Sequence, residues 1–186
     1  MITIVSGLPR SGTSLMMQML AAGGMPLLTD LERTPDIDNP RGYCEWGPAK
    51  LLPREPSRID EAEGKAVKVI SQLLLSLPHG RDYKLIFMER PLPEVLASQD
   101  EMLKRRGSIQ SVDPARLISA FRDHMKEVVA WLEDRTDIPV CRMGYRKVLG
   151  DPAGSARAVR DFLNISLRVE SMALAVDPSL YRNRRS

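Results

Sequence analysis

Cysteine and histidine are scarce in this chain of 186 residues, with two of each. Cys44 and Cys141 stand far apart and form no Cys-x-x-Cys pair, so the sequence carries no disulfide framework and no zinc motif. A reducing compartment fits that usage best. Long apolar runs are also missing, and none approaches the roughly 20 residues that cross a bilayer. The opening run Ile2-Thr3-Ile4-Val5 is cut by a Pro/Gly loop carrying Arg10, too early for the core of a signal peptide. The expected location is therefore cytoplasmic, with no membrane partner. Charge of one sign is weak as well. A net +3, with a sequence pI of about 9.0, suits an anionic small ligand and implies no nucleic-acid partner. Internal repeats and low-complexity tracts are absent.

What is present is an ordinary globular composition, 43% hydrophobic and 27% charged. The length suits one domain, 1–186, with enough chain to close a core. Four short apolar runs read as strands buried on both faces: Ile2–Val5, Ala66–Ile70, Lys84–Met88 and Pro139–Met143. Helical patterns alternate with them, over Ser14–Ala22, Pro91–Arg105, Asp113–Asp134 and Asp151–Leu163. The last two open on Asp-Pro caps. This alternation predicts an α/β, three-layer P-loop fold, with a central parallel sheet of about four to five strands flanked by helices.

The most informative segment is Gly7-Leu8-Pro9-Arg10-Ser11-Gly12-Thr13-Ser14, which joins the first strand to the first helix. Glycines let a loop turn its amides inward, and the following helix offers its positive end to an anion. A Walker A loop carries Lys directly after its second Gly. Thr13 stands there instead, and the cation, Arg10, lies two residues before Gly12. The loop keeps an anion-binding layout but lacks the lysine that reaches the β/γ-phosphates of a nucleoside triphosphate.

The stretch from Gly23 to Gly64 has little periodicity, with six prolines and five glycines. Its position beside a ligand loop marks residues 24–64 as a substrate or lid region. The charged, proline-broken part Pro53–Glu63 reads as mobile. Asn39–Trp46 combines a turn signal with two aromatics and Glu45.

The loop Pro9–Ser14 resembles the 5′-phosphosulfate loop of sulfotransferases, whose donor is 3′-phosphoadenosine 5′-phosphosulfate (PAPS) and whose product is the bisphosphate PAP. In that family a Lys or Arg fills the place of Arg10, ahead of Ser-Gly-Thr. Arg90 and Ser98 match the family's 3′-phosphate pair, a strand-end Arg followed eight residues later by a Ser. A strand-end Arg offers a planar fork to phosphate oxygens, and Ser98 adds a hydroxyl from the next helix. The plainer alternative pairs Arg90 with Glu94 and leaves Ser98 on the surface. Tyr145-Arg146-Lys147-Val148-Leu149 resembles the family's Tyr-x-x-Leu region and reads as scaffold for the last helix. The tail resembles the family's basic segment, with Arg182 the candidate nucleotide contact and Arg184 and Arg185 left open. In the run Val67-Lys68-Val69-Ile70, Lys68 matches a family lysine, but Ile70 occupies the place of the catalytic histidine. His79 and His124 read as surface or partly buried side chains. The candidate base is therefore Glu45, with Tyr43 and Trp46 drying its surroundings. Equally, Glu45 bonds its own loop's backbone.

The resemblance implies sulfuryl transfer from PAPS to a hydroxyl or amine of a small-molecule acceptor, with Arg10 and Lys68 neutralising charge on the leaving phosphate. No metal is implied. Residues 24–64 and the segment around 104–112 would then shape the acceptor pocket. Two other readings stay open: a P-loop small-molecule or nucleoside kinase using ATP and magnesium, and a nucleotide-binding protein that has lost catalysis. Against the kinase stands the absence of an Asp-tipped apolar strand, since Lys84–Met88 ends in Glu89-Arg90. Acceptor identity and oligomeric state are not encoded in any motif.

Overall fold

In the computed structural model, residues 1–30, 34, 36, 39, 41–105 and 114–177 are described. Their centre is a five-stranded, all-parallel sheet in the order β2-β3-β1-β4-β5. The strands are β1 (Ile2–Gly7), β2 (Leu27–Leu28), β3 (Ala66–Lys68), β4 (Tyr83–Glu89) and β5 (Val140–Gly144). Every residue of β1 is buried, as a central parallel strand covered on both faces requires. Four of the strands match the apolar runs of the sequence. The fifth, β2, is a two-residue edge strand inside the proline-rich stretch, too short to leave a periodic signal.

Side chains alternate between two cores. Val5, Ile86, Met88 and Met143 face one layer. It is built by α1 (Thr13–Gly23), α5 (Tyr145–Gly150), α6 (Pro152–Leu163) and α7 (Val169–Leu174). Ile4, Leu85 and Phe87 face the other, which holds α2 (Ser71–Leu74) and α4 (Pro114–Asp134). A third cluster, Leu8, Val95 and Phe121, joins the loop after β1 to α3 (Leu92–Arg105) and α4. The predicted helices form with boundaries shifted by a residue or so. For α6 the reason is visible: Pro152 opens the first turn and the Asp151 carboxylate accepts from the Gly154 amide at 2.8 Å.

Pro53–Glu63 departs from expectation. Pro56–Ala62 forms a 3₁₀ helix, and Ile59 and Ala62 are fully buried against the sheet. Two apolar side chains, spaced three apart, anchor a segment whose charges and prolines otherwise read as mobile. A shorter 3₁₀ helix, Gly47–Leu51, precedes it and buries Ala49.

Because all strands are parallel, their carboxyl ends share one edge. Along it lie Lys68 at the end of β3, Gly7 at the end of β1 with the loop that follows, Arg90 after β4, and Tyr145 after β5. The chain leaves β1 for β2 and β3 on one side and returns to β4 on the other. The crevice between β1 and β4 is thus the switch point where open α/β sheets bind ligands.

Candidate active site

The loop after β1 turns on two glycines with positive φ, Gly7 at +147° and Gly12 at +103°, with Arg10 at +72° between them. A Cβ on Gly7 would stand 2.5 Å from both the Met88 carbonyl and Ser11 Oγ, and one on Gly12 would stand 2.5 Å from the Tyr145 ring. Only glycine fits both places. Gly12 caps α1 without a side-chain hydrogen bond, and the first turn of α1 contains no acidic residue. The helix therefore presents its amides and positive end uncompensated by protein carboxylates. Ser11 is 1% exposed, and its hydroxyl has no hydrogen-bond partner among the described residues. A buried donor left unmatched in such a loop is available to an anion bound there.

Cations close on this loop from both sides. Arg10 Nε donates to Ser98 Oγ at 3.0 Å, so Ser98 is buried in α3 rather than on the surface. Arg90 Nη1 donates to the Arg10 carbonyl at 3.0 Å, and its Nε donates to Glu94 Oε2 at 3.0 Å. Its guanidinium lies 4.6 Å from the centre of the Tyr145 ring. Of the plainer alternative for Arg90, the pairing with Glu94 is present, while Ser98 is buried rather than on the surface.

On the other flank, Lys68 is buried, with Nζ 3.3 Å from Ser14 Oγ and 3.6 Å from Glu45 Oε1. Lys68 also donates to the Tyr43 carbonyl, which accepts from Ser14 at 3.1 Å as well. Gln18 of α1 donates to the Gly42 carbonyl at 3.1 Å. Residues 42–45 are thus laced to the start of α1. Glu45 keeps 38% of its side-chain surface in solvent, while Tyr43 and Trp46 beside it are buried. The Glu45 backbone carbonyl serves the loop: it accepts from Thr29 Oγ1 at 2.8 Å and from the Asp30 amide at 3.2 Å. Tyr43 donates to Asp36 at 2.7 Å. Between these flanks Cys44 adopts φ +49°, and burial pushes its thiol pKa up, against an opposing pull from Lys68.

Pro9, Arg10, Ser11, Gly12, Thr13, Ser14, Glu45, Lys68, Arg90 and Ser98 are accordingly brought to one edge of the sheet. Arg182, Arg184 and Arg185 lie outside the described residues. His79 is exposed, and His124 Nε2 lies 2.9 Å from Ser71 Oγ. Sequence reasoning missed the inner face of the site. Tyr145, in the segment read as scaffold, also packs its ring on Gly12 and Arg90. Its place directly after a strand of a parallel sheet was the available signal. Among the described residues no group of three or more His, Cys, Asp or Glu side chains is placed to hold a metal. No described helix is long and apolar enough to cross a membrane.

A cavity of about 670 Å³ opens between the loop and helices α3 and α4. Leu8, Phe87, Phe121 and Met125 make much of its wall apolar, and Ser11, Arg90 and Arg122 also line it. Among the described residues, its lining includes none from 24–64. The segment around 104–112, expected with 24–64 to shape the acceptor pocket, lies largely outside the described residues.

Comparison with solved structures places this architecture. The fold matches the sulfotransferase domain from the curacin biosynthetic pathway with a TM-score of 0.58 at 15% identity, over 97% of this chain and 88% of that one. It matches the sulfotransferase domain from the Synechococcus PCC 7002 olefin synthase with a TM-score of 0.57 at 16% identity, over 100% and 88%. No protein-family model and no curated protein sequence matches the chain. At such identities the likeness is one of fold, and it is a likeness to sulfotransferase domains along essentially the whole chain.

Proposed function

We propose that this protein is a PAPS-dependent sulfotransferase acting on a hydroxyl or amine of a small molecule. The observation that supports this most is the loop itself. It combines Walker-like backbone geometry with its cation on the Arg10 side and an unpartnered buried Ser11 hydroxyl. An anion with its own charge and lone pairs answers all three features, and a phosphosulfate supplies such an anion. The donor brings a sulfuryl group joined to its 5′-phosphate. Transfer forms an S–O or S–N bond to the acceptor, breaks the S–O bond to that phosphate, and releases PAP.

The chain's own residues divide the work. The α1 amides with Ser11, Thr13 and Ser14 bind the anion, and Arg10 and Lys68 stabilise charge that grows on the departing phosphate. Glu45 takes the acceptor's proton, from a position where Lys68 ties its carboxylate to the start of α1. Arg90 and Ser98 answer the 3′-phosphate. A cytoplasmic location follows from the cysteine usage and remains part of the proposal.

The test is transfer of labelled sulfate from PAPS into a metabolite extract by the purified protein. Appearance of a labelled small molecule that needs the protein supports the proposal. Label that stays on PAPS, with no product across extracts, while labelled ATP and magnesium yield a phosphorylated product, would replace it with the kinase.

A further inference from the structure

One backbone carbonyl engages the same donors that a bound anion would use. The Tyr43 carbonyl accepts from Ser14 Oγ at 3.1 Å and also from the buried ammonium of Lys68. Lys68 Nζ and Ser14 Oγ lie 3.3 Å apart, so the three groups form one cluster at the start of α1. A charged phosphate oxygen makes stronger bonds to such donors than a neutral carbonyl does. The carbonyl and the anion therefore compete.

The residues on either side of this carbonyl are anchored independently of Lys68. The Gly42 carbonyl accepts from Gln18 of α1 at 3.1 Å. The Glu45 carbonyl accepts from Thr29 Oγ1 and from the Asp30 amide. Between these anchors Cys44 has φ +49°, in the left-handed region that a non-glycine residue enters at a cost. Residues held this way gather at ligand clamps and switch regions. The Cys44 amide donates no hydrogen bond among the described residues.

Carbonyl and amide belong to one peptide unit. The C=O of Tyr43 and the N–H of Cys44 share a plane and point in opposite directions. Turning that plane by about 180° takes Cys44 from φ +49° to about −130°, inside the β region. Only ψ of Tyr43 and φ of Cys44 change, so the anchors at Gly42 and Glu45 can stay in place. The turn withdraws the carbonyl from Lys68 and Ser14 and presents the Cys44 N–H in its stead.

We propose that the Tyr43–Cys44 peptide flips when the donor binds, and that the Cys44 amide then bonds the donor's 5′-phosphate beside Lys68 and Ser14. This rests on the sulfotransferase proposal above and adds a ligand contact to it. The phosphate takes over the two donors that the carbonyl gives up, and the left-handed strain at Cys44 is released in the bound form. No side-chain pattern marks the contact, because a backbone amide makes it.

The experiment is calorimetric titration of the full chain with PAP, comparing wild type, Cys44→Gly and Cys44→Val. Glycine enters the left-handed region freely and so favours the carbonyl-in form. A β-branched side chain is a sharper outlier there and disfavours that form. Cys44→Gly is expected to weaken PAP by about fivefold, the low end of the left-handed penalty it removes, and Cys44→Val to tighten it. Equal affinity in all three proteins, or a change of the same sign in both variants, overturns the inference. In ¹⁵N-labelled wild type with PAP bound, the Cys44 amide is expected to show a scalar coupling to phosphorus across its hydrogen bond. Couplings at the first amides of α1 with none at Cys44 also overturn it. A wild type that binds no PAP is a separate failure, of the donor reading itself.

Discussion

Replacing Gly12 by alanine is the sharpest probe of how the loop is built. Two costs arise at this residue. The backbone at φ +103° lies outside the range a side chain adopts freely, and left-handed geometry costs an L-residue about 1–2 kcal/mol. The new methyl would also stand 2.5 Å from Tyr145 Cδ2 and 3.0 Å from Cε2. The ring must then move, and overpacking of this kind costs about 1–3 kcal/mol. Gly12→Ala should therefore lose about 2–5 kcal/mol in urea unfolding, against about 5–15 kcal/mol for a typical domain, and should still fold. The steric part belongs to the pair. Tyr145→Ala removes the ring, so the double variant should be about 1–3 kcal/mol more stable than the two single losses predict. The assay is a double-mutant cycle followed by far-ultraviolet circular dichroism. A coupling below about 0.5 kcal/mol, the ordinary additivity error, would show that Tyr145 does not back the loop.

Two further outcomes follow from other parts of the structure. If Glu45 takes the acceptor proton, Glu45→Gln should lower kcat by about 10²–10⁴, the usual reach of general-base catalysis, while PAP binding measured by calorimetry stays near wild type. An unchanged kcat would return Glu45 to a structural partner of Lys68. Tyr83 tests the core: burial pushes its phenol up to about 12, and its hydroxyl has no hydrogen-bond partner among the described residues. A raised folded pKa keeps the neutral form favoured in the native state, so its contribution is complete below about pH 10 and is lost as pH climbs through 12. Wild type should lose up to about 2 kcal/mol more than Tyr83→Phe between pH 9 and 11.5 in urea titrations. Identical slopes for the two proteins would contradict this.

How much of this was legible in the sequence depends on the range of the interaction. The loop after β1 announces itself because its glycines, cation and flanking apolar run are contiguous. Arg90, just after β4, and Ser98, in α3, carry a spacing of eight residues. Lys68 could be placed at a strand end, though its bonds to Ser14 and the Tyr43 carbonyl could not. The packing of Tyr145 on Gly12 and Arg90 and the bond of Arg146 to Glu94 were not legible, because these partners are remote in sequence and adjacent only after the sheet forms. The 3₁₀ helix at Pro56–Ala62 was obscured for the opposite reason. Its two buried anchors, Ile59 and Ala62, are too few to show a period among surrounding charges.

The displaced cation is the residue pattern on which the choice of donor rests, so the most direct test compares donors. Calorimetry of the wild-type chain with PAP and with ATP plus magnesium, at one ionic strength, makes that comparison. PAP is expected to bind more tightly by at least about tenfold, or about 1.4 kcal/mol. Tighter binding of ATP with magnesium would contradict a phosphosulfate site and return the loop to nucleoside triphosphate chemistry.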